Sequence, residues 1–226
     1  MKVIFQSIII LALLFSCSNT QDSQQQESSE IEEEVSHIPP SKKSSQRIVF
    51  LGNSLTAAYG LDPNQGFPAL IQQKIDSLGL DYEVINAGLS GETTAGGAER
   101  IDWILKQPVA IFVLELGGND GLRGIQPEAS YQNLKSIVDK VQAAYPEAKI
   151  VLAGMQAPPN MGPEFTTAFR DMYPRLAEEE QLTLIPFLLE NVGGIPALNL
   201  PDGIHPNVEG QKIVAENVWE ALAPLL

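Results

Sequence analysis

Cysteine, histidine and net positive charge are what this 226-residue chain has least of. Its one cysteine is Cys17, so disulfides and thiolate metal sites are excluded from everything that follows it. Of the two histidines, His37 falls in a polar stretch, which leaves His205 as the one imidazole available to a folded domain as a base. Acidic residues outnumber basic ones 28 to 14, and 22 to 11 from residue 46 onward, a balance that speaks against a nucleic-acid partner. Long apolar runs are lacking too. Val3 to Phe15 is interrupted by Gln6 and Ser7 and followed by polar residues, too short for a spanning helix.

That run still carries information. Behind the positive start Met1-Lys2, it has the form of a secretory signal, and Leu14-Phe15-Ser16-Cys17 resembles a bacterial lipobox. Residues 1–17 are therefore expected to be a lipoprotein-type signal peptide ending at a lipidated Cys17. The expected location is the bacterial cell envelope, exported and membrane-anchored on the periplasmic or outer-membrane side, with two or more acyl chains for stable anchoring. Residues 18–45 are rich in Gln, Ser and Glu, with Glu32-Glu33-Glu34 and Pro39-Pro40. Such a segment buries too little apolar surface to offset its ordering entropy and reads as a disordered tether. Residues 46–226 have the length of one domain with a real core.

The domain is organised around Arg47 to Thr56. Ile48 to Leu51 reads as a short strand buried on both faces; Gly52 breaks it, and Asn53-Ser54 begin a segment expected to continue as a helix. Further strands are expected at 82–86, 109–116, 149–155 and 182–187, and helices at 67–78, 93–106, 131–144, 165–180 and 208–222, with Pro174 kinking or restarting the fourth helix. Strands alternating with helices imply a three-layer α/β domain on a parallel sheet.

Ser54 thus follows the first strand, where open α/β sheets place their ligand crevice. Gly88 follows the second, where a glycine leaves its N–H unobstructed. Asn119 follows the third, inside Gly117-Gly118-Asn119-Asp120-Gly121, where its amide could donate to an oxyanion. Asp202 and His205 precede the last helix, three residues apart, close enough for a carboxylate to fix the imidazole tautomer. Singly, each has an ordinary explanation as a cap, turn or surface residue. Together they form a nucleophile, two donors and a His–Asp pair at one sheet edge. Thr56 stands where a Gly-x-Ser-x-Gly elbow would need glycine, which speaks against the α/β-hydrolase class.

Gly52-Asn53-Ser54-Leu55, Gly88, Gly117-Gly118-Asn119-Asp120 and Asp202-Gly-Ile-His205-Pro resemble the ordered blocks of the SGNH (GDSL-type) hydrolases. The runs Leu116 to Gly124 and Asp202 to Asn207 look like the bacterial thioesterase, lysophospholipase and arylesterase group. The resemblance implies a flavodoxin-like three-layer α/β/α fold with a five-stranded parallel sheet. It implies Ser54 as nucleophile, Gly88 and Asn119 as oxyanion donors beside the Ser54 amide, His205 as base, Asp202 as its partner, and neither cofactor nor metal. Asn53 departs from the family pattern, which has Asp there, so the charge beside the nucleophile is lost.

Leu122, Ile125, Ala157, Pro158 and Met161, on loops expected to border the crevice, favour a small-molecule ester or lipid substrate: a fatty acyl, lysophospholipid, thioester or aryl ester. Arg123 would offset the negative charge locally. Glu115, ending the third strand, reads as a structural hydrogen-bond or ion-pair partner. Two rival readings are a carbohydrate O-acetyl esterase and a catalytically silent binding lipoprotein. A metal-dependent phosphatase on Asp120, Asp202 and His205 has only scattered ligands behind it. Oligomeric state is not legible.

Overall fold

A computed structural model describes residues 46–226. The expected signal peptide, lipobox Cys17 and tether lie outside the described residues. Five parallel strands, β1 (Gln46–Gly52), β2 (Tyr82–Gly88), β3 (Ile111–Glu115), β4 (Lys149–Ala153) and β5 (Thr183–Ile185), form one sheet in the order β2-β1-β3-β4-β5. Helices α1 (Phe67–Ser77), α2 (Thr94–Ile104), α3 (Gly118–Arg123), α4 (Pro127–Ala144), α5 (Pro163–Glu180) and α6 (Val208–Leu222) complete it. α1 packs on α6, and α4 on both α2 and α5. This is the expected flavodoxin-like α/β architecture.

The central strands carry the core. Ile48, Val49, Phe50 and Leu51 are buried on both faces, as are Ile111 to Leu114 beside them. Each such side chain contributes roughly 1.5–3 kcal/mol through burial.

Local chemistry decides three stretches. No helix follows Ser54: residues 54–60 form a run of turns, because Ala58 (φ 56°) and Gly60 (φ 77°) enter left-handed backbone that ends helical bonding. The Gly-Gly-Asn-Asp-Gly stretch, to which periodicity assigned no element, forms the short helix α3, opened by Gly117 at φ 114° and closed by Gly124 at φ 65°. α5 runs through Pro174 without a break. Proline removes the bond to the carbonyl of Arg170, which is exposed, while Phe169, Tyr173, Leu176 and Ala177 hold the other face in the core.

In the pairing register, Gly52 of β1 lies opposite Gly88 of β2 and Glu115 of β3, so one row of the sheet's carboxyl edge holds all three. The crowding there is severe. A methyl group on Gly52 would sit 2.0 Å from Thr56 Oγ1 and 2.6 Å from Glu115 Oε2. Gly52→Ala is therefore expected to cost roughly 3 kcal/mol by overpacking, read as a lowered urea midpoint; a midpoint equal to wild type would mean the turn yields freely.

Candidate active site

The loop before α6 is built to hold its own side chains. Leu200 N–H donates to His205 O at 2.7 Å, and Asn199 and Pro206 form an isolated antiparallel bridge. Asn207 then caps α6, its Oδ1 accepting from the amides of Glu209 and Gly210. Within this loop Asp202 Oδ1 accepts from the backbone N–H of Ile204 (3.0 Å) and of His205 (3.1 Å), while Oδ2 meets His205 Nδ1 at 2.8 Å. The Ile204 amide and then the imidazole contact pull the Asp202 carboxyl down to about 2. An ionised carboxylate only accepts, so His205 carries its proton on Nδ1 and leaves Nε2 as an acceptor.

That nitrogen faces Ser54 Oγ at 2.9 Å, across 151 residues of sequence. The Tyr59 ring lies over the imidazole with centroids 4.5 Å apart. Ser54, His205 and Asp202 are thus brought together in the order expected from sequence, and the arrangement can pass a proton from the hydroxyl to the ring.

The expected oxyanion donors fare unequally. Asn119, on α3, lines the same cavity as Ser54; one Nδ2 hydrogen binds the carbonyl of Glu92 at 2.9 Å and the second is available. Gly88 does not fit its expected role. Its N–H donates to Asn86 Oδ1 at 2.9 Å, it is not among the cavity-lining residues, and its α-carbon is packed against the backbone of Thr56 and Ala57. The glycine between β2 and α2 that does reach the cavity is Gly91, at φ 82°, whose N–H has no hydrogen-bond partner among the described residues. Arg123 steadies it by donating from Nη2 to its carbonyl at 3.0 Å. The amide of Ser54 is likewise without a partner among the described residues. The second glycine of Gly-Leu-Ser-Gly, next to a helix N-cap at Thr93, was the signal available for Gly91; for Tyr59 there was none.

Behind the serine lies a buried polar knot. Glu115, fully buried, accepts from Asn53 N–H (3.0 Å), Asn53 Nδ2 (2.7 Å) and Thr56 Oγ1 (2.7 Å). It is a hydrogen-bond partner, as expected, and makes no ion pair among the described residues. Asn53 Oδ1 accepts from Leu55 N–H at 2.9 Å and touches Ser54 Oγ at 3.4 Å. Asp120 faces inward, accepting from Thr94 and Ser130, and so does not meet Asp202 and His205 as a shared ligand set would require.

The cavity over Ser54 has a volume of about 550 Å³. Leu122, Met155, Ala157, Pro158, Phe187 and Ile204 give it a mainly apolar wall; of the loop residues expected there, Ile125 and Met161 do not line it.

The model of the GDSL-like lipase/acylhydrolase family matches residues 50–213. The chain is 46% identical over 182 residues to the esterase TesA of Pseudomonas aeruginosa, covering 80% of this chain and 90% of that one. It is 39% identical over 180 residues to the thioesterase 1/protease 1/lysophospholipase L1 of Escherichia coli, covering 79% and 84%. The crystal structure of a psychrotrophic esterase, EstA from Pseudoalteromonas, inhibited by monoethylphosphonate, superposes with a TM-score of 0.75 at 34% identity, covering 80% of this chain and 98% of that one.

Burial pushes the Glu115 carboxyl up from 4.5 to about 7 against the lowering effect of its donors, Thr56 first. Between those values the folded protein keeps a proton that the unfolded chain has released. The resulting stabilisation is complete below about 4.5 and lost as pH rises through about 7. Relative to the non-titrating variant Glu115→Gln, wild type is expected to lose roughly 3 kcal/mol across that window. Urea melts at a series of pH values check this; parallel curves for the two proteins would refute it.

Proposed function

The chain belongs to the GDSL-like lipase/acylhydrolase family and is a serine ester hydrolase, and we propose that it works through an acyl-enzyme on Ser54. The observation that carries this reading is the continuous relay from Asp202 Oδ2 through His205 to Ser54 Oγ, with contacts of 2.8 and 2.9 Å. As Ser54 attacks the acyl carbonyl, its proton passes to His205 Nε2, and the Asp202 carboxylate stabilises the imidazolium. The carbonyl oxygen becomes an anion, held by the N–H groups of Ser54 and Gly91 and the amide of Asn119. His205 then returns the proton to the leaving alkoxide, aryloxide or thiolate. Water, deprotonated by the same nitrogen, releases the acid in the second half.

The apolar wall supports an uncharged acyl chain as the part of the substrate that fills the cavity, and therefore fatty acyl esters, thioesters, lysophospholipids or aryl esters as the substrate class. The relatives named esterase and thioesterase/lysophospholipase support the same range. A carbohydrate acetyl ester would leave most of that wall wetted. The lipobox supports anchoring through a lipidated Cys17, in the cell envelope. Residues 1–16 would then be removed, leaving the lipidated Cys17 as the N-terminus, and residues 18–45 would tether the hydrolase domain to the membrane. Loss of membrane association in Cys17→Ser, followed by fractionation, checks the anchor; an unchanged distribution would remove it.

A fluorophosphonate is expected to form an adduct on Ser54 in wild type and none in Ser54→Ala; labelling elsewhere would refute the assignment. Asp202→Asn is expected to lower kcat by about a thousandfold or more through the wrong imidazole tautomer. Asn119→Ala is expected to lower it by about a hundredfold with KM little changed. Medium-chain or long-chain p-nitrophenyl esters are expected to exceed acetyl esters in kcat/KM, and the reverse order would favour the acetyl esterase reading.

A further inference from the structure

We propose that the buried Glu115 carboxylate is a pH-sensitive positioning group for Ser54, acting through the amide of Asn53. The inference rests on Ser54 being the nucleophile and deepens that reading. Every hydrogen bond that Glu115 makes is one it accepts: Oε1 from Asn53 Nδ2, Oε2 from Asn53 N–H and Thr56 Oγ1. Only the ionised form has acceptor capacity for all three with no hydrogen of its own to place. The knot is sealed, with Glu115 and Thr56 at 0% exposure and Asn53 at 2%, and Gly52 leaves no room for anything larger beside it.

The orientation of Asn53 follows from this. While Glu115 is an anion, Nδ2 must face it, and Oδ1 is then turned toward Leu55 N–H and Ser54 Oγ. That Oδ1–Leu55 bond shapes the turn on which the Ser54 amide and hydroxyl are carried. A proton on Glu115 sets a donor against a donor. Relief requires either reversing the Thr56 hydroxyl or rotating the Asn53 amide, which would turn Nδ2 onto the amide of Leu55. The first keeps the heavy atoms in place but replaces charge-assisted bonds from Asn53 by neutral ones about half as strong. The second breaks the Oδ1–Leu55 bond, so in both cases the hold on the nucleophile turn loosens.

Burial and the three donors pull in opposite directions and leave this carboxyl at about 7. The other titratable groups facing the region are bonded to partners outside the knot. Tyr173 on α5, whose hydroxyl donates to Leu116 O, is held well above its ordinary range by burial and by the charges of Asp120 and Glu115. Asp120 on α3 is satisfied by Thr94 and Ser130. His205 stands beyond Ser54, bound to Asp202.

Asn53 is what exposes the switch. Aspartate at this position would put two carboxyls 2.7 Å apart, and such a pair retains one shared proton through neutral pH. That proton would preserve the geometry at the same net charge. With asparagine, the same geometry depends on Glu115 being empty of protons.

The experiment compares full-length wild type, Glu115→Gln and Asn53→Asp by two readouts: kcat/KM for a p-nitrophenyl ester, and the rate of Ser54 labelling by a fluorophosphonate, each against pH. Wild type is expected to show an inflection at about 7 that both variants lack, with both rates falling about tenfold or more below it. Glu115→Gln is expected to lower both rates about tenfold to a hundredfold at alkaline pH and to lack the inflection. Asn53→Asp is expected to remain active and to lack it as well, and it decides the matter alone if Glu115→Gln does not fold. An inflection kept at the same pH in either folded variant, or absent from wild type, overturns the proposal while leaving the nucleophile assignment intact. Ester hydrolysis by a wild type that takes no adduct on Ser54 overturns both.

Discussion

Everything at the catalytic edge depends on the register that sets Gly52 opposite Gly88 on one side and Glu115 on the other. A parallel sheet brings the carboxyl ends of its strands to a common edge, and the place of β1 between β2 and β3 makes its exit the meeting point of three connections. The absence of a side chain at Gly52 lets Thr56 and Glu115 close over the strand end, within 2.7 Å of each other. The nucleophile turn is therefore clamped at its base by buried hydrogen bonds. No helix is needed to support Ser54, and none is formed.

The loop bearing Asp202 and His205 is stiff for a different reason. Its carboxylate accepts from two backbone amides of the same short loop before it meets the imidazole, so partner and base form a single unit. Asn199 and Asn207 tie that unit to the preceding turn and to the start of α6. Few side chains need to be ordered when substrate arrives, which lowers the entropic part of the barrier.

What could be read from the residues was what periodicity and punctuation encode. Ile48 to Leu51 announces a doubly buried strand, Gly52 its end, and the alternation of strands and helices the layered fold. Asp202 and His205 were legible because they lie close in sequence and adjoin a helix start. Gly88 was misread because ownership of an amide is a matter of geometry: Asn86, two residues earlier on β2, folds back to take that N–H, and nothing in the order of letters announces it. Gly91 is distinguished by a positive φ and by its place on the cavity, which the order of residues does not announce. The wall of the cavity was partly visible, since Leu122, Ala157 and Pro158 reach it, but Phe187 and Leu189 come from beyond β5, where no local pattern marks them.

Two carboxyls, each linked to the Ser54 hydroxyl through one intervening side chain, are driven in opposite directions. Asp202, partly open to solvent and offered backbone amides, stays ionised far into acid. Glu115, sealed in the core, has three donors and still titrates near neutrality, because desolvation offsets what hydrogen bonding contributes. Such divergence is how one fold assigns distinct duties to identical chemical groups. In the proposed mechanism the exposed acid, ionised down to about 2, orients the imidazole, whereas the buried acid sets how firmly the nucleophile turn is held. The asparagine at position 53 does not remove negative charge from behind the serine; it leaves that charge on Glu115 alone, with no neighbouring carboxyl to share a proton.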